Sequence, residues 1–103
     1  MATTSPSNLA DAVLNRLAQN EAQSVQRWMD WLRIPSVGTD PAHRGDTRRA
    51  GEWCAQQLRE AGFRVELREG GEIGPDGKGA GHPLVMAFAD GDPSYKGPHV
   101  LFY

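Results

Sequence analysis

Ile34-Pro35-Ser36-Val37-Gly38-Thr39-Asp40-Pro41-Ala42-His43-Arg44-Gly45-Asp46 is the stretch on which the reading of this chain turns. A helix-like run from Thr47 to Ala61 follows it, and Gly62 stops that run. Two prolines and two glycines between residues 35 and 46 break regular structure, while Ile34 and Val37 are apolar enough to order the loop. Asp40-Pro41 reads as a turn or cap start. The helix is expected to begin near Gly45 or Asp46, with Asp46 as its cap. Arg49 stands where a capping box needs Glu, so the box is absent. Ala50, Trp53, Cys54, Leu58 and Ala61 form the expected buried face, and Glu52, Gln56, Arg59 and Glu60 face water. Gly62 supplies a left-handed stop, after which Phe63 folds back.

Upstream, residues 1–6 are small and polar and are expected to be a flexible N-terminus. Ser7 or Asn8 can cap a helix. Leu9, Val13, Leu14, Leu17, Val25, Trp28, Met29 and Leu32 recur in steps that place them on one helical face. The pattern is long for one helix, so a kink near Gln19–Glu21 is expected, and Pro35 ends it. Downstream, Phe63 to Glu69 alternates as a half-buried strand with Phe63, Val65 and Leu67 inward. Residues 70–82 hold six glycines and read as a flexible hairpin loop. Pro83 to Ala89 is a nearly continuous apolar run, read as a strand buried on both faces. Asp90 to Pro98 is turn-rich, and His99 to Tyr103 opens a third strand. A sheet left at that point has edges needing cover, so the chain is expected to be the front piece of a longer protein.

At 103 residues the chain has room for one domain. Eleven basic against thirteen acidic side chains give a net charge of −2, which argues against a non-specific nucleic-acid binder. One cysteine excludes an internal disulfide framework. The N-terminus lacks the basic cluster and apolar core of a signal peptide. No apolar run approaches the ~18 residues of a membrane span. The expected setting is cytoplasmic, without membrane or nucleic-acid partners.

The local candidates for chemistry are few. His43, His82 and His99 are the histidines, and none has a ligand partner at helical or strand spacing, whereas a zinc site needs three or four convergent ligands. His43 is read as a loop hydrogen-bonder. Cys54, on an apolar helix face, is read as a buried inert thiol. Arg44, Arg48 and Arg49 cluster at the helix start, the unfavourable end for positive charge, and are expected to pair with Asp40, Asp46 and Glu52. Gly77-Lys78 is followed by Gly79 rather than Ser or Thr, so the phosphate-loop pattern fails, and Gly79-Ala80-Gly81 lacks the third glycine of a dinucleotide fingerprint. No residue is nominated as catalytic, cofactor-binding or metal-binding.

Trp31-Leu32-Arg33-Ile34-Pro35-Ser36-Val37, the run Asp40 to Ala50, Glu52-Trp53, and Leu58-Arg59-Glu60-Ala61-Gly62-Phe63 together resemble a known family. It is the N-terminal part of the dinuclear-zinc metallopeptidases: dipeptidases, carboxypeptidases, aminoacylases, acetylornithine deacetylase and succinyl-diaminopimelate desuccinylase. The dipeptidase-like branch fits best, and the resemblance covers nearly the whole chain after about residue 20.

The resemblance implies an α/β fold in which residues 7–103 are an incomplete segment of a zinc-peptidase-like catalytic domain, two helices plus three strands of a mixed sheet. It implies two zinc or other divalent ions in the parent protein, a glutamate general base, and a small peptide or N-acyl amino acid as substrate; a homodimeric parent is compatible with it. In the family the strand matching Val100 to Tyr103 leads into Gly-His-x-Asp, which carries the first metal ligand. No ligand or base therefore falls on a position of this sequence, and the chain alone is expected to bind no metal and to be inactive. The alternative is a non-catalytic α+β interaction module that completes its sheet with a partner.

Overall fold

The computed structural model describes residues 5–103. These form three α-helices, a short 3-10 turn and one two-stranded sheet, in the order helix, helix, 3-10 turn, helix, strand, strand. The chain divides into two compact units, one ending at Ile34 and the other running from Pro35 to Tyr103.

The first unit carries α1 (Pro6–Gln19) and α2 (Glu21–Leu32). Ser5, not Ser7 or Asn8, is the N-cap: its hydroxyl accepts from the Asn8 amide at 3.3 Å. Pro6 follows at the first helical position, where its missing N–H costs nothing. Of the stretch 1–6 expected to be a flexible N-terminus, residues 1–4 lie outside the described residues, and Ser5 and Pro6 form the cap and first residue of α1. The helical pattern breaks at Asn20, which has φ −101° and ψ 7°. Its amide still donates to the Arg16 carbonyl, while its own carbonyl accepts from Ser24 to start α2. Asparagine competes with the helix through its short polar side chain, which makes it a natural breakpoint. No residue of α1 or α2 is buried, so Leu9, Val13, Leu17, Trp28 and Leu32 stand exposed.

The second unit begins with the loop after Pro35. Asp40 caps the 3-10 turn Pro41–His43, its carboxylate accepting from the Ala42 amide at 2.9 Å. That turn feeds directly into α3 (Arg44–Glu60), so the helix starts before the expected Gly45 or Asp46, and Asp46 lies inside its first turn rather than at its cap. At the other end Gly62 has φ +96°. The Phe63 amide donates to the Leu58 carbonyl and the Gly62 amide to Arg59, the paired bonds that close a helix through a left-handed residue.

α3 packs on an antiparallel pair, β1 (Arg64–Arg68) and β2 (Leu84–Phe88), in the register Val65↔Ala87 and Leu67↔Val85. Its contact face is shifted from the expected one. Ala50 and Ala55 are the buried residues, Ala55 only 1% exposed, while Trp53, Cys54 and Leu58 are half-buried and Ala61 is exposed. A methyl group placed on Gly51 would lie 3.4 to 3.9 Å from Pro83, Val85 and Leu67. Small residues at 51 and 55, one turn apart, bring the helix close to the sheet.

The sheet differs from expectation in three ways. First, the described residues form two antiparallel strands, not three strands of a mixed sheet: His99 to Tyr103 pairs with nothing and Val100 is 72% exposed. Strand-forming side chains do not by themselves bring a segment to a sheet edge. Second, β2 is covered by α3 on one face only. Arg64, Glu66 and Arg68 share its other face with Leu84, Met86 and Phe88, and Leu84 is 58% exposed. The Arg64 guanidinium lies 4.4 Å from the Phe88 ring centroid and also forms a two-pronged pair with Asp90 at 2.9 and 3.0 Å. Third, Phe63 stands outside β1 and is exposed, leaving Val65 and Leu67 as the inward residues.

Two glycine substitutions should move stability in opposite directions. Gly51→Ala adds a methyl at ordinary contact distance in a helix interior and should stabilise by roughly 0.5–1 kcal/mol. Gly62→Ala meets no neighbour but forces a side chain into the left-handed region, and should cost about 1–2 kcal/mol. Urea unfolding of both variants checks the pair, and a loss at position 51 would show that the helix lies closer to the sheet than described.

Candidate functional site

A groove of about 510 Å³ lies between the start of α3 and the hairpin that joins β1 to β2. Arg44 and Arg48, one turn apart on α3, form one wall, and residues 72–76 and 78–83 form the other. The hairpin is not the loose loop suggested by its glycines. An isolated bridge pairs Ile73 with Gly79. Backbone bonds join Ala80 to Glu72 and Gly81 to Gly70, both at 2.8 Å, and Gly74 to Lys78 at 2.9 Å.

Three side chains fasten this hairpin to the helix. Arg44 Nη2 donates to the Gly79 carbonyl at 2.6 Å and reaches the Gly81 carbonyl at 3.5 Å. Arg48 Nη2 donates to Glu69 Oε2. The same carboxylate oxygen accepts from the Gly79 amide at 3.1 Å. Gly79 is therefore held at both its N–H and its C=O, and it is buried. A Cβ there would sit 2.0 Å from the Gly70 carbonyl oxygen, so only glycine lets the two arms of the hairpin approach this closely.

The expected pairing of the arginines is corrected by these contacts. Arg48 reaches across to Glu69, and Arg44 binds backbone carbonyls. Arg49 does pair with Asp46, at 3.0 Å. The hydrogen bond from Arg48, then that from the Gly79 amide, hold the Glu69 carboxyl below the ordinary carboxylate value of 4.5. Reciprocally, the Glu69 hydrogen bond raises Arg48 above its ordinary value.

The histidines fall in separate places. His43 Nδ1 lies 2.8 Å from Asp46 Oδ2 at the start of α3, and the carboxylate oxygen accepts its hydrogen. His82 Nε2 lies 2.7 Å from the Gly38 carbonyl, an acceptor only, so that nitrogen carries the proton and donates. His99 lies on the exposed segment before Val100. Burial pushes the Cys54 thiol up, which keeps it protonated and a poor nucleophile. Among the described residues no three of His, Cys, Asp and Glu gather as a metal-ligand set. The groove lining contains no Ser, Thr or Cys to act as a nucleophile. Gly77-Lys78-Gly79 lies at the end of a hairpin and not before a helix, so its amides do not form a phosphate cradle. The arrangement supplies structural ties. No helix among the described residues is long and apolar enough to cross a membrane.

Sequence reasoning missed Glu69 as the centre of this cluster. In the sequence it is the polar end of an alternating strand, and nothing in its spacing from Arg48 signals the pairing. No family model matches this sequence, and neither the curated proteins nor the solved structures contain a match to it.

The tie has a pH signature. Because the folded-state value of Glu69 is depressed, its contribution to stability is fully present above 4.5 and is lost as pH falls through the lower native value. Glu69→Gln should therefore destabilise most at neutral pH, and the gap to the parent chain should narrow as unfolding is followed down to about pH 3. A pH-independent gap would remove the ionic part of this account. Gly79→Ala should cost about 1–3 kcal/mol through overpacking, with faster amide exchange across residues 70–82 as its local readout.

Proposed function

We propose that this chain is the N-terminal segment of a zinc-dependent, dipeptidase-like metallohydrolase, one that cleaves amide bonds of dipeptides or N-acyl amino acids. What carries the reading is one conjunction within a single stretch. Ile34-Pro35-Ser36 precedes a turn opened by Asp40-Pro41, a helix opened by Arg44 to Arg48, and a Leu58-to-Phe63 exit that turns on Gly62. The order that follows, helix then strand then strand, is compatible with the start of such a catalytic domain. In this proposal the two-stranded sheet is the first part of a mixed sheet belonging to the parent protein, and the setting is cytoplasmic.

Two divalent ions in the parent would lower the pKa of a bridging water and polarise the scissile carbonyl. The residues described here do not fit such a pair, since no ligand set comes together among them. The ligands and the general base are assigned to the parent protein, and the part given to residues 35–88 is to build and brace the helix and strands beside that site.

The experiment is a comparison of two products. The purified 103-residue chain should neither bind zinc stoichiometrically nor hydrolyse dipeptides. The reading frame downstream of the Tyr103 codon should continue into Gly-His-x-Asp, and the longer product should hydrolyse dipeptides in a chelator-sensitive way. Turnover by the short chain that chelation abolishes would refute the assignment of ligands. A stop directly after Tyr103, with a soluble monomer that melts cooperatively, would replace the enzyme reading with a non-catalytic module.

A further inference from the structure

We draw no further inference here: the strongest candidate, the apolar patch formed by exposed Leu84 and half-buried Met86 and Phe88 on the outer face of the two-stranded sheet together with the unpaired segment Val100–Tyr103, carries nothing because nothing in the structure shows what covers it.

Discussion

The carboxylate of Glu69 is the point on which the second unit depends. It stands one residue beyond β1, where the chain leaves the sheet, and it binds both Arg48 on α3 and the Gly79 amide on the returning arm of the hairpin. One side chain thus links helix, outgoing arm and returning arm. The link matters because the apolar core is small, with Ala50 and Ala55 its only buried hydrophobic members among the described residues. A two-stranded sheet is marginal in water unless something packs against it. Here α3 packs on one face, and the hairpin must deliver Pro83 and Val85 beneath Gly51 for that packing to occur. The Arg48 and Glu69 side chains are each 23% exposed, so solvent screens them less than it screens the open pairs Arg33–Asp30 and Arg64–Asp90.

Several residues on which the proposed relation rests also help to brace this unit. Asp40 caps the turn before α3, Arg44 and Arg48 fasten the hairpin, and Gly62 turns the chain from helix to strand. Their roles are mechanical: Asp40 and Arg44 satisfy backbone groups, Arg48 pairs with the Glu69 carboxylate, and Gly62 closes a helix end. A stretch of this kind can be recognisable without containing a catalytic group, because helix termini and tight chain reversals restrict residue type strongly.

Much of the local structure was legible in the sequence. The break between α1 and α2, the left-handed stop at Gly62, and the inward Val65 and Leu67 all follow from local chemistry and periodicity. What was not legible depends on partners distant in sequence. The contact face of α3 runs through Gly51 and Ala55, and hydrophobicity points instead to Trp53 and Cys54; small size is a weak signal until the opposing surface is known. The Arg48–Glu69 and Arg44–Gly79 ties span 21 and 35 residues, far beyond helical or strand spacing. The segment His99–Tyr103 has the side chains of a strand and remains unpaired, because composition does not encode which edge and register a strand meets. Six glycines between 70 and 82 suggested looseness, yet at position 79 the missing side chain is what permits a close, hydrogen-bonded crossing.

A double-mutant cycle on Arg48→Ala and Glu69→Ala, followed by urea unfolding at neutral pH, tests most directly whether this tie organises the unit. The account predicts that the double variant is less destabilised than the sum of the two single variants, because either change alone already severs the bridge between α3 and the hairpin. Strict additivity would mean that the two side chains act independently, and the hairpin would then owe its position to packing beneath Gly51 and not to Glu69.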